Sequence, residues 1–499
     1  MNVMSVEAAA RQAAQPTEHF DVLIVGAGIS GLGAAKHLQD QMPGKSFVIL
    51  ERCESFGGTW WTHRYPGIRS DSDLYTFGYR FKPWVGPPIA TRAEILKYLG
   101  EVIEENALAG HIRYRHQITH AEWDSSTNRW TVRGDGPDGP FVISAGFLWM
   151  CQGYYRHFEG HMPEWEGMER FRGRIVHSMA WDDSIDYKDK RVAIIGSGAT
   201  TATIVPNMPE AAHVTVVQRS PTYYYPAPNR QDAADTMRAL GVPETIVHDV
   251  TRRKILHDQD VICQRCLVEP DEVKRDLLEA AKLFLGPDFP IDPHLTPSYR
   301  PWQQRLAYIP DGDMFLDIAR GHSSIVTGHI AAFEEEGIRM QDGTLVEADL
   351  VIAATGFDLC VLGDIAIAID GRELNFGDTV TYRGMMFTGV PNMVWIFGYF
   401  RASWTLRVDL VADFVCRLLA HMDGKGAKRV EVALRAEDHN MPILPWIDEE
   451  NFNPNYVKRA LHLLPKRGDK PEWQHNQDYW REKDQIPMID LDDSAFRYS

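Results

Sequence analysis

Two short glycine-rich segments stand out by residue type and spacing: Gly26-Ala-Gly28-Ile-Ser30-Gly31 and Gly196-Ser197-Gly198-Ala199-Thr200-Thr201. The first fits G-x-G-x-x-G. In that pattern one glycine makes a tight turn, the next lets the backbone approach a pyrophosphate, and the last lets a helix pack closely on a strand. A helix beginning in such a turn points free N–H groups and the positive end of its dipole at the phosphates. The second segment keeps two glycines and has Thr201 at the third position, which predicts a slightly wider helix–strand gap. Each turn is followed by a second apolar run, ending in Glu51 in one case and reaching Arg219 and Ser220 in the other. A carboxylate accepts hydrogen bonds from ribose hydroxyls, whereas a guanidinium suits a 2′-phosphate. The first cleft therefore reads as an FAD site and the second as an NADPH site, with hydride passing from nicotinamide to flavin.

These residues need strands and helices to hold them. Residues 21–25 and 46–50 read as buried parallel strands around a helix over 32–38, and residues 191–195 and 213–217 repeat the pattern. Residues 349–357 run into Ala354-Thr355-Gly356, and residues 147–153 look like an earlier counterpart, so they read as the return and outward crossings between two units. The expected fold class is α/β, with two Rossmann-like dinucleotide-binding domains, the second inserted in the first. The expected boundaries are 20–157 and 346–430 for the FAD domain and 158–345 for the NADP domain. Residues 232–290 read as a helical excursion covering the active site, and residues 431–499 as a tail packed on the surface.

Composition narrows the partners. Asp plus Glu number 69 against 52 Lys plus Arg, a net charge of −17. That balance argues against nucleic acid and against anionic lipid. Six scattered cysteines do not suggest a disulfide framework, and Cys263 with Cys266 lacks the second pair a zinc site needs. The first 19 residues lack a basic start followed by an apolar run, and no apolar stretch approaches membrane-spanning length, so a cytoplasmic enzyme without an integral membrane segment is expected.

Between the two clefts lies Phe171-Arg-Gly173-Arg-Ile-Val-His177-Ser-Met-Ala-Trp181-Asp182. It resembles the F-x-G-x-x-x-H-x-x-x-W-D fingerprint of Baeyer–Villiger monooxygenases at every fixed position. Upstream, Gly57-Gly58-Thr59-Trp60 leads through Tyr65-Pro66-Gly67 to Asp71, which resembles the second signature of the same family. The segments 64–73, 196–200, 218–222 and 402–406 bring the resemblance closest to the ethionamide-activating branch. It covers residues 20 to about 480.

The resemblance implies FAD and NADPH as cofactors and molecular oxygen as co-substrate. It implies a peroxide at the flavin C4a carbon that converts ketones to esters or lactones and also oxidises thioethers. Arg305 inherits the role of the cation near the flavin, with Asp71 orienting it; Gly58, Thr59, Trp60 and Asp71 join the cofactor-binding set. A guanidinium stays charged at working pH, and in a dry site it stabilises developing negative charge far better than it would in water. Many relatives carry Lys immediately before that arginine. Gln304 stands there in this chain, which predicts a softer preference for NADPH over NADH. His177 reads as a structural or hinge residue, Trp181 as packing, and Trp60 and Tyr65 as aromatics beside the flavin. Competing readings are a flavin monooxygenase acting on nitrogen or sulfur, whose fingerprint lacks Trp181-Asp182, and a non-oxygenating NADPH-dependent flavin reductase, which would need a redox cysteine pair near the flavin.

Overall fold

Residues 22–25 are apolar throughout, and a run of that kind is stable only where a parallel sheet is covered on both faces. The computed structural model, which describes Pro16 and residues 18–499, places it there. The expectation that the first 19 residues carry no secretory signal falls almost wholly outside the described residues. Strand Glu18–Val25 lies between Phe47–Leu50 and Gly139–Met150 and runs parallel to both. The sheet then turns antiparallel through Arg129–Gly136 and Gln117–Asp124, and with its remaining strands counts nine. A second sheet has five strands, all parallel, in the order Ser323–Thr327, His213–Gln218, Arg191–Ile195, Leu350–Ala353, Arg174–His177. All five fall in sequence between Gly139–Met150 and Ala366–Ile369 of the first sheet. The chain thus leaves the first sheet once and returns once.

The glycine turns do what their spacing demands. Gly26 sits at φ +99° and passes directly over the carbonyl of Cys151. A Cβ on Gly31 would lie 1.9 Å from the carbonyl oxygen of Gly26, so only glycine lets helix Ile29–Gln41 start this close to its strand. Gly196 takes φ +141° under the carbonyl of Ala354, and Thr201 is fully buried at the third position. Helix Trp404–Lys425 packs across Ile29–Gln41, where Gly33 makes room for Tyr79 and Val408 and His37 meets Asp409 at 2.9 Å.

Residues 232–290 are helical as expected: Asp232–Ala239, Glu244–Val268 and Pro270–Leu285. Pro270 opens the last of these and Gly286, at φ +90°, closes it, each at the end where its backbone preference is harmless. The excursion docks on the first unit through Arg252, whose guanidinium donates to the carbonyls of Tyr75, Thr76 and Gly78. Cys263 and Cys266 are both buried thiols on helix Glu244–Val268. No helix among the described residues is long and apolar enough to cross a membrane.

Residues 431–499 are more than a surface tail. Trp446 and Trp473 are fully buried, and strand Phe496–Tyr498 pairs with Val430–Val432. The reason is electrostatic as well as apolar. Arg407 of the long helix and Glu482 are both buried to within 1% and form an ion pair, with the Tyr399 hydroxyl donating to the same carboxylate. Burial pushes the Glu482 carboxyl up, and Arg407 and Tyr399 oppose that push.

At the seam between the sheets the two crossings pair, strand Tyr155–Gly160 running antiparallel to Phe357–Leu359. Three imidazoles fill this place. The His177 ring occupies the space a side chain on Gly160 would need. His63 Nε2 and His157 Nδ1 lie 3.2 Å apart. Burial, reinforced by His177, lowers His63 to about 4; burial, reinforced by His63, lowers His157 to about 3.

Two outcomes follow. Glu482→Ala leaves a buried guanidinium without its counter-charge and should cost about 3–5 kcal/mol; an unchanged midpoint in denaturant unfolding would contradict the pairing. The seam histidines stay neutral when folded and bind protons near pH 6.5 when unfolded. The unfolded chain then holds more protons, so stability should fall as pH drops from 6.5 towards 4. His63→Gln should make that fall shallower, and an identical slope in unfolding midpoint against pH would refute the assignment.

Candidate active site

A cavity of about 460 Å³ opens where the glycine turn, the two crossings and the Arg305 segment meet. Of the residues singled out from the sequence, Gly26, Gly28, Ser30, Glu51, Gly58 and Thr59 line it on the first-sheet side, with Trp60 and Asp71. Gly198, Ala199, Thr200 and Arg305 line it from the inserted unit. Five others do not line it. Gly31 and Gly196 serve close backbone packing. Ser197 donates from its hydroxyl to the Ser220 carbonyl at 2.8 Å, tying the turn to the end of strand His213–Gln218. Arg219 and Ser220 are exposed beyond that strand, so a ligand reaching Arg219 would extend outward from the turn. No residue of 232–290 lines the cavity, which corrects the expectation that the excursion covers it; helix Glu244–Val268 packs on the first unit and helix Pro270–Leu285 on the inserted one.

Glu51 is buried, and each of its oxygens already accepts a backbone N–H at 2.8 Å, from Ala27 and from Cys53. The carboxylate thereby fixes the shape of the glycine turn while keeping lone pairs for a ribose. Gly28 and Gly58 face each other so closely that a Cβ on Gly58 would lie 3.3 Å from the Gly28 Cα. Ser30 accepts the indole N–H of Trp404 at 2.8 Å. A flavin nucleotide fits this arrangement. Gly26, Gly28 and Gly58 put bare backbone on the cavity wall, where a pyrophosphate can approach, and both amide atoms of Gln152, buried on that wall, have no partner within the protein.

Arg305 Nη1 donates to Asp71 Oδ2 at 2.7 Å. Their side chains are 36% and 31% exposed, and both line the cavity. Asp71 follows the Tyr65-Pro66-Gly67 turn, where Gly67 takes φ +69° and the Ile68 N–H closes on the Tyr65 carbonyl. Arg305 is set by what comes next: the Ala307 N–H bonds to the Tyr223 carbonyl, and strand Ala307–Pro310 pairs with Tyr224–Ala227. Burial pulls the guanidinium pKa down, but Asp71 and the phenols of Tyr154, Tyr155 and Tyr456 more than offset this, so the group is held in its charged form. Its Nε–H has no partner.

Several wall residues escape a reading of the sequence. Tyr154 stacks on Trp404 at 5.0 Å and 9°, and its hydroxyl bonds to that of Tyr155. Tyr456 comes from the late stretch and sits edge-on to Tyr155. Gln152 lies at the end of the outward crossing segment 147–153, and Tyr154 and Tyr155 directly follow it, which was a usable signal. Trp404 lies inside the segment 402–406 that carries the branch resemblance. Nothing near Tyr456 marks it. Trp60 packs edge-on to Phe77, Tyr65 lines the cavity, and His177 and Trp181 are buried away from it.

With this geometry in place, comparison with known proteins is direct. Residues 24–85 match the NAD(P)-binding Rossmann-like domain, and residues 83–225 match the flavin-binding monooxygenase-like family. The FAD-containing monooxygenase EthA of Mycolicibacterium smegmatis is 40% identical over 486 residues, covering 97% of this chain and 98% of that protein. A probable FAD-binding monooxygenase AlmA of an Acinetobacter species is also 40% identical, covering 96% of each. The structure of an oxidised steroid monooxygenase bound to NADP superposes with a TM-score of 0.76 at 24% identity, covering 96% of this chain and 99% of that one, which shows a shared fold. The chain belongs to the class B, flavin-binding monooxygenase-like family of FAD-containing monooxygenases.

Proposed function

We propose that this chain is a Baeyer–Villiger monooxygenase that uses NADPH and molecular oxygen to convert ketones to esters or lactones. The observation that carries the reading is Arg305, held charged by Asp71 on the wall of the cavity that the glycine turn of the flavin site also lines. The nine-stranded unit would hold FAD through Gly26, Gly28, Ser30, Glu51, Gly58 and Thr59. The inserted unit would hold NADPH through Gly198, Ala199 and Thr200, with Arg219 and Ser220 reaching the 2′-phosphate. Bound flavin would supply hydride acceptance and oxygen transfer.

The protein's part is electrostatic and geometric. Negative charge develops on oxygen during the reaction, in a cavity walled by Trp60, Tyr65, Tyr154 and Trp404. There a fixed guanidinium is worth far more than in water and needs no reorganisation when the charge appears. Asp71 aims that guanidinium through one of its two terminal nitrogens and leaves the other nitrogen and Nε–H for the reacting atoms. Gln304 bonds to Asn453 instead of adding a second cation, which supports a softer discrimination between NADPH and NADH. Thioether oxidation would use the same cavity.

Purified holoenzyme given NADPH, air and a ketone panel should yield esters by mass spectrometry, and no ester from any ketone would refute the reading. Arg305→Ala should keep flavin reduction by NADPH but lower ester formation by roughly a hundredfold or more; retained ester formation would remove Arg305 from the chemistry. Arg219→Ala should raise the KM for NADPH by about tenfold while leaving NADH use unchanged. Equal losses with both nucleotides would remove Arg219 from the 2′-phosphate.

A further inference from the structure

Residues 448–454 form a strap that runs back over the segment carrying Arg305. Arg401 Nη2 donates to the Asn451 carbonyl at 2.5 Å and to its side-chain Oδ1 at 2.7 Å. The Asn453 N–H bonds to the Gln303 carbonyl at 3.1 Å, and Gln304 Nε2 donates to Asn453 Oδ1 at 3.3 Å. Phe452 stacks on Phe400 at 4.3 Å. With the strap clipped at these points, Pro454 and Tyr456, at the start of helix Asn455–Ala460, become part of the cavity wall.

The Tyr456 ring stands edge-on to Tyr155, 6.2 Å between centroids. The hydroxyls of Tyr154 and Tyr155 are hydrogen-bonded to each other. The Tyr456 hydroxyl is buried close to those of Tyr154 and Tyr155 but makes no well-formed hydrogen bond to either. A phenol left this way in a folded chain forfeits its hydrogen bonds to water without replacement, a cost of about 1–3 kcal/mol unless a ligand supplies the partner. The neighbouring charge says which partner. Arg305 presents donors only, so the group that would satisfy both it and a phenol O–H is an acceptor between them. A carbonyl oxygen is such an acceptor; a thioether sulfur is a weak one.

We infer that Tyr456 is a substrate-binding residue whose phenol donates a hydrogen bond to the carbonyl oxygen of the ketone beside Arg305, and that the strap held by Gln304 and Arg401 is what positions it. The inference rests on the ketone reading above and names the residue that makes the site favour ketones over isosteric thioethers. It also gives Gln304 a role of its own: the amide clasps the strap.

The test compares wild type with Tyr456→Phe as FAD-loaded enzyme, using two matched pairs: acetophenone with thioanisole, and dibutyl ketone with dibutyl sulfide. The substitution removes an oxygen that makes no well-formed hydrogen bond in the protein, so FAD content and unfolding midpoint should not fall. Binding is read first by titration calorimetry with NADP+ and no reductant, so that no turnover occurs. Ketone Kd should rise roughly tenfold, the loss of one hydrogen bond, while sulfide Kd stays unchanged. Under turnover, kcat/KM should fall for the ketones by at least the same factor and stay level for the sulfides. Equal change in ketones and sulfides, no change in either, failure of both ketones to bind wild type, or a shift in NADP+ affinity would each overturn the inference. The reading it rests on fails separately: wild type would then form no ester from any ketone, whatever the variant does.

Discussion

The contact between Arg305 and Asp71 joins residues 234 positions apart, one from each of the two units. Its physical demand organises its surroundings. A guanidinium on the wall of a cavity lined by aromatic rings gains from a counter-charge, and Asp71 supplies one. A fully paired guanidinium, however, would have nothing left for a reacting oxygen. The compromise seen here is a single terminal nitrogen spent on Asp71, a second nitrogen and Nε–H unspent, and a wall of phenols that adds polarity without a second fixed charge. Both partners come from irregular backbone fixed by its neighbours. Asp71 depends on the turn through Gly67, and Arg305 depends on the strand that begins two residues later.

Holding two units at this spacing is the work of the seam. The outward and return crossings pair with each other, and His177 packs into the gap left by Gly160. An imidazole suits that place because it fills space like an aromatic ring and still bonds to backbone: its Nδ1 accepts the Met179 N–H. Burial keeps it neutral-leaning, so the seam gains no unpaired charge. The fingerprint histidine thus packs between the crossings, away from the cavity.

What could be read from the sequence is what depends on neighbours in the chain. Both glycine turns, the strands that lead into them and the helices of 232–290 follow from local spacing, because a tight turn and a close helix contact exclude other residues there. Glu51 was legible as a cleft residue, but its grip on the Ala27 and Cys53 N–H groups was not, since that is set by the fold of the turn around it. Arg305 and Asp71 were legible only through resemblance: no local rule marks one arginine among many. Tyr456 left no trace at all, because its place depends on a strap closed by Arg401, Gln303 and Gln304, contacts that span 50 to about 150 residues. The stretch 431–499 misread as surface for a related reason. Its tryptophans are spaced without helical or strand period, and their burial is decided by what they meet: Trp446 stacks on His475, and Trp473 donates to the buried carboxylate of Asp438.

This division between local and distant determinants bears on how such a site diversifies. Gly26, Gly31 and Gly196 are constrained by backbone approaches of 1.9–3.0 Å to an added Cβ, and the Arg305–Asp71 pair by the cost of an unpaired charge, so few substitutions are tolerated at these positions. The strap is held by hydrogen bonds to a handful of side chains at the cavity rim, and its aromatic contribution can change without disturbing either glycine turn. On the proposed reading, a cavity built this way would keep one charge-stabilising centre while the groups facing the substrate could change. Gln304 marks the border between the two parts: its backbone is continuous with Arg305, and its side chain belongs to the strap. A lysine in that position would offer a charge towards a nucleotide but no amide pairing with Asn453, so loss of the cation and capture of the strap are two consequences of the same residue.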